Sequence, residues 1–203
     1  MKKWMSLFDL CPIRPSGQKE RAARITAMSY LRDCQDKEQR MERQLLNTGE
    51  YILLRGKDSY NGLLQRVETN PVSRITGRAI MDLYNSVPKS YRKNAVFLMN
   101  TVTLNELSRS LGVDRNLLSS RDDGTFMLMD QPIVLCNAMP FISKGSVPIL
   151  FGDFGKVSIE DCGRDELQQE PCEGNPGTQQ YTLTGYMDCM LEEQLAIRGI
   201  KVV

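Results

Sequence analysis

Residues 18–54 are the stretch that most limits what this chain can fold into. They hold no proline and one glycine, Gly49, and are rich in Arg, Glu, Gln, Leu and Met, all good helix formers. Ala27, Leu31, Cys34, Met41 and Leu45 fall at helical spacings, with Glu38 interrupting the row. The pattern predicts a long helix over 18–54 with a thin apolar seam, broken near Gly49. So narrow a seam buries little by itself. The helix must lie across a sheet or against another subunit, and strands from the last quarter of the chain are the expected support.

The sequence before this stretch, residues 1–16, carries Pro12 and Pro15 and reads as an irregular arm. After it, Gly56, the Asn61-Gly62 pair and Pro71 punctuate a loop. Ile80, Leu83, Tyr84 and Val87 then share one face of a helix over 76–87, with Thr76 as its cap and Pro88 as its stop. Residues 95–99 are a short unbroken apolar run, as in a strand buried on both faces. Leu104, Leu107 and Leu111 mark a third helix, over 103–111, that ends at Gly112. Beyond it the texture becomes that of short strands, at 126–129, 133–136, 147–151 and 157–160, divided by Pro and Gly. Residues 161–178 read as a polar strand and a loop, 181–190 as a long strand and 195–203 as an apolar ending. The fold class is α+β.

The chemistry the chain can carry is narrow. With 203 residues, 41% apolar and 25% charged, the composition is that of an ordinary globular protein, and no run approaches the roughly 18 apolar residues of a membrane span. The first residues lack the long apolar core and small-residue cleavage site of a signal peptide. There is no histidine, which removes Ser-His and Cys-His catalysis and histidine-based zinc sites together. Cys11, Cys34, Cys136, Cys162, Cys172 and Cys189 form no CxxC pair and read as reduced thiols, with Cys162 and Cys172 as the one pair to check for oxidation. Glu160, Asp161, Asp165, Glu166, Glu170 and Glu173 lack calcium-loop spacing and read as a solvated face. Gly112 and Gly124 build no phosphate loop, and Ser59 and Ser146 have no partner base. Met127, Met129 and Met139 read as core filling. No catalytic, cofactor-binding or metal-ligating residue is assigned, and no cofactor is expected.

The net charge of +1 conceals a division. Residues 1–100 hold 18 Lys/Arg and 10 Asp/Glu, and residues 101–203 hold 8 and 15. Surfaces of opposite sign suit head-to-tail contact between copies, or a basic face near nucleic acid.

Four segments, in order, resemble the major capsid proteins of tailed bacteriophages, the Hong Kong 97-type shell fold. EYILLRGKDSYNGLL is similar to the end of that family's spine helix and the loop after it. ITGRAIMDLYNSVPKSYRKNAVFLMNTVTLNELSRSL is similar to its helix, turn, buried strand and following helix. GTFMLMDQPIVLCNAMP resembles a loop leading into an edge strand, and VPILFGDFGKVSIEDCGRDELQQEP a later strand pair. Together they cover residues 40–170.

The resemblance implies a shell subunit with an arm remnant at 1–16, a peripheral-domain spine helix and loop at 17–70, an axial domain at 71–171, and strands at 172–203 returning to the peripheral domain. It implies partnership with other copies in capsomers, with other capsid or scaffolding proteins, and non-specifically with enclosed double-stranded DNA. No membrane partner is implied. The location implied is the virion capsid, preceded by the bacterial host cytoplasm. With only 16–20 residues ahead of the spine helix, where the family usually has an arm and an extended loop, a shortened form is expected, monomeric or in small salt-sensitive oligomers. An encapsulin-like shell around protein cargo is one alternative, and a small enzyme using a cysteine or carboxylates is another.

Overall fold

The computed structural model describes residues 6–16, 22–32, 36–110, 117–172 and 178–203. In chain order, a single helical turn α1 (Leu7–Leu10) is closed by a capping box, in which Ser6 and Asp9 satisfy each other's backbone ends. The strands β1 (Ile13–Pro15) and β2 (Ala23–Arg32) follow, then the long helix α2 (Lys37–Arg55). Next come the turn α3 (Leu63–Arg66), strand β3 (Glu68–Val72), helix α4 (Gly77–Ser86) and turn α5 (Lys89–Arg92). Strand β4 (Val96–Met99) leads into helix α6 (Thr101–Ser110). The remaining strands are β5 (Leu118–Ser120), β6 (Phe126–Leu128), β7 (Gln131–Leu135), β8 (Ile149–Gly152), β9 (Val157–Arg164), β10 (Gln168–Pro171), β11 (Thr178–Leu191) and β12 (Ile197–Val202).

The long helix begins at Lys37, not near residue 18. Residues 23–32 are instead a strand, because Ala23, Ile25 and Ala27 are buried while Arg24, Thr26 and Met28 are exposed. That is a period of two. Residues 1–36 of this sequence therefore lie ahead of α2, where the sequence pattern places 16–20. Nor does the helix break at Gly49. A side chain there would lie 3.1 Å from Ile25 and 3.6 Å from Met187, so the missing Cβ lets the helix settle onto the sheet. The stretch expected as a loop after α2 holds α3 and β3, and Pro71 is tolerated because β3 lies at a sheet edge. The expected stop at Gly112 lies outside the described residues.

Two sheets organise the chain. In the first, β11 is flanked by β2 on one side and by β9 and β10, which run on along its other side, with β1 beyond β9. Helix α2 lies across β2 and β11, as the thin seam requires, burying Met41, Leu45, Ile52 and Leu53 against Ile25, Tyr181 and Met187. The second sheet has seven strands in the order β3-β12-β8-β4-β7-β6-β5. Its β4 is buried on both faces along Phe97, Leu98 and Met99. Helices α4 and α6 bury Ile80, Leu83, Leu104 and Leu107 in the same core as Phe97 and Phe151, which stack with ring centroids 4.3 Å apart. The apolar ending, β12, belongs to this sheet, between β3 and β8.

Candidate functional site

The sequence singled out no catalytic centre, and the residues it weighed stand apart. Ser146 Oγ donates to the carbonyls of Phe141 (2.9 Å) and Ser143 (2.7 Å), which closes a loop. Cys162 is buried in β9 and Cys172 is half-buried past β10, and both are free thiols. Met127 and Met139 are buried and Met129 is half-buried, consistent with core filling. Among the described residues no three Cys, Asp or Glu side chains converge to hold a metal ion, and no helix is long and apolar enough to cross a membrane.

Two polar junctions fix the elements relative to one another. In the first, Tyr60 donates from its hydroxyl to Asp188 Oδ1 at 2.9 Å and accepts from the Cys189 backbone at 3.0 Å. Arg66 reaches the same carboxylate oxygen at 3.2 Å, donates to the Cys189 carbonyl, and lies over the Tyr60 ring. The loop after α2 is thereby tied to β11. Burial, and then the Asp188 charge, push the Tyr60 hydroxyl well above the ordinary tyrosine range. Burial alone dominates at Cys189, pushed up to about 12 despite Arg66. In the second junction Asn100, buried, receives the Thr103 backbone at 2.7 Å and donates to the carbonyls of Met139 and Pro140. It caps α6 and pins the passage after β7. The partners lie up to 129 residues apart in sequence, so no local motif announces them.

The surface supplies what the interior does not. β2 forms one edge of its sheet, and Met28 and Tyr30 stand exposed on it. Around α4 and α5, Arg74, Arg78, Lys89 and Lys93 are exposed and join no ion pair among the described residues. Along β9 and β10, Asp165, Glu166 and Glu170 are exposed. Apolar edge residues and patches in which one sign of charge predominates are the equipment of a contact surface.

The sequence profile of the phage capsid family matches residues 39–198. The chain belongs to the phage capsid family. It is a capsid shell subunit, and its α+β architecture is the Hong Kong 97-type shell fold. Among solved structures, the subunit is similar to the capsid chain of an empty GTA particle, at 16% identity and a TM-score of 0.68, covering 99% of this chain and 90% of that one. It is similar to the SrpI encapsulin of Synechococcus elongatus PCC 7942, at 16% identity and a TM-score of 0.62, covering 90% and 74%. It is similar also to a chain of the Gordonia phage Cozz, at 10% identity and a TM-score of 0.57, covering 89% and 70%. At these identities the likeness is one of fold. No curated protein sequence matches the chain.

Proposed function

We propose that this subunit builds the icosahedral shell of a phage or prophage, in hexamers and pentamers of copies, around double-stranded DNA, and that it has no catalytic role. The observation that carries the reading is the family match over residues 39–198, on a chain whose two described polar junctions hold elements together. The virion capsid is its proposed destination and the host cytoplasm its place before assembly, with other capsid or scaffolding proteins as assembly partners.

The proposed division is a peripheral region around α2 and the five-stranded sheet, and an axial region around α4, α6 and the seven-stranded sheet. On this reading β9 and β10 go with the peripheral region and β12 with the axial one, a division that sheet membership supports. DNA contact on this reading is weak and non-specific. It is made by exposed arginines of α2, Arg40 and Arg43, since no base-reading motif accompanies the charge.

The test is sedimentation and negative-stain microscopy of the purified protein at low and high salt, with the contents of any particle extracted. Closed particles of megadalton size that hold DNA are expected when packaging genes are co-expressed. Particles filled with one protein cargo and no DNA would favour the encapsulin-like reading, and a protein monomeric under every condition would overturn both.

A further inference from the structure

A groove of about 620 Å³ runs along the outer edge of β3 to the start of α4, lined by Asn70, Pro71, Val72, Arg74, Thr76 and Arg78 among others. Three features of it point to one kind of occupant. The first is main-chain geometry. β3 pairs with β12 on one side only, so among the described residues its other edge offers unpaired backbone groups to an extended segment, Pro71 there supplying a carbonyl but no N–H.

The second is charge placed against the local field. The start of a helix is positive, and sequences usually put acids there. α4 has no acid in its first turn, and carries Arg78 within it and Arg74 just ahead of it. Both arginines are exposed and neither joins an ion pair among the described residues. The groove's one acid is Asp82, a turn further along. The occupant that relieves this arrangement is an extended, acidic segment.

The third feature is that the same chain owns such a segment. Residues 165–170, DELQQE, run from the link after β9 into β10 and are exposed at all positions but the half-buried Leu167, with β10 at an outer edge of the other sheet. Residues 158–171 hold five acids and one base, a net −4, while residues 73–94 hold five bases and one acid, a net +4. In a protein of net charge +1, both excesses are cancelled at once when copies meet head to tail.

We propose that the groove between β3 and α4 receives the acidic segment 165–170 of a second copy, β10 with the link that leads into it, with Arg74 and Arg78 facing Glu166 and Glu170. The proposal rests on the reading of the chain as a shell subunit and names one contact by which the shell is held.

The test is charge reversal and restoration, read by sedimentation of the full chain between 50 mM and 500 mM salt. Arg74→Glu with Arg78→Glu, and separately Glu166→Lys with Glu170→Lys, should each weaken association about tenfold at low salt. All four substitutions in one chain should restore it. A second measurement does not depend on reversal. Ser73→Cys with Gln168→Cys, in an otherwise unaltered chain, should give an intermolecular disulfide between those two positions on mild oxidation, mapped by mass spectrometry. Assembly that is unmoved by either reversal and yields no such crosslink overturns this contact and leaves the shell reading standing. A wild-type chain that stays monomeric overturns both. Reversal of Arg74 and Arg78 that removes DNA binding while association is unchanged would make the groove a nucleic-acid contact and overturn the proposal as stated.

Discussion

Asn100 Nδ2 donates a hydrogen bond of 2.9 Å to the carbonyl of Met139, across 39 residues of chain. The same nitrogen reaches the Pro140 carbonyl at 2.8 Å, and Oδ1 takes the Thr103 backbone at 2.7 Å. One side chain thus satisfies three backbone groups in a buried place, where each would otherwise pay the cost of leaving water. Asn100→Ala strands them. The expected loss is about 2–3 kcal/mol of unfolding free energy, read from urea denaturation of the purified subunit. Asn100→Asp, which keeps the cap but sets a buried carboxylate oxygen against the two carbonyls, should cost at least as much.

Gly152 and Gly185 predict a ranking. A Cβ on Gly152 would sit 2.1 Å from the Ala196 carbonyl oxygen, which is backbone held in the β8–β12 pairing. A Cβ on Gly185 would sit 2.8 Å from Cδ2 of Leu45, the far end of a side chain that can turn. Overpacking costs about 1–3 kcal/mol where neighbours can move and more where they cannot. Gly152→Ala should therefore lower the thermal midpoint more than Gly185→Ala, or prevent recovery of folded protein. Equal effects would mean that β12 gives way more easily than its pairing implies.

These two sites also show which parts of the fold the sequence discloses. Thr76 was legible as a cap because capping is local: its hydroxyl accepts from the Ala79 backbone three residues on. The run at 95–99 was legible because a strand buried on both faces needs no partner to be recognised. Residues 23–32 are ambiguous in sequence because Ala27 and Leu31 fit a helical spacing as well as an alternating one, and pairing with β11 decides for the strand. Asn100 and Asp188 gave no signal at all, since what makes them structural lies on other elements far along the chain. The surface patches were half legible. Charge counts revealed the opposite signs, but only the fold brings Arg74, Arg78 and the edge of β3 to one groove.

Alkaline pH should destabilise the subunit before it alters any surface charge pair. Burial holds the thiols of Cys136 and Cys189 up to about 12, against an ordinary value of 9.0, and Tyr60 is raised in the same direction. A group whose folded pKa is raised keeps its proton in the folded state while the unfolded chain releases it. Its contribution is fully present below pH 9 and is lost as pH rises toward 12, at up to about 1.4 kcal/mol per pH unit for each thiol. Urea midpoints should fall steadily from pH 9 to 11, and Cys136→Ala should make the decline shallower. A flat profile over that range would show that the thiols are not held protonated by the fold.

The last expectation separates two ion pairs that look alike on a distance criterion. Lys156 and Glu193 meet at 2.7 Å, but both are more than a third exposed, and water screens them. The pair does shift its members: hydrogen bonding to Lys156, and then to Tyr91, holds Glu193 below the ordinary carboxylate range. Arg66 and Asp188 are further apart, at 3.2 Å, yet Asp188 is only 9% exposed. Its carboxylate depends on Arg66 and Tyr60 for compensation, and Arg66 also satisfies the carbonyls of Asn61 and Cys189. Arg66→Ala should cost about 2–3 kcal/mol, below the figure for a fully buried pair because the guanidinium is partly solvated. Arg66→Lys should recover little, since one ammonium cannot span the same three acceptors. Lys156→Ala should leave the urea midpoint unchanged within error. If the two alanine variants destabilise alike, burial of Asp188 is not what gives the first pair its weight, and the loop after α2 is held to β11 mainly by Tyr60.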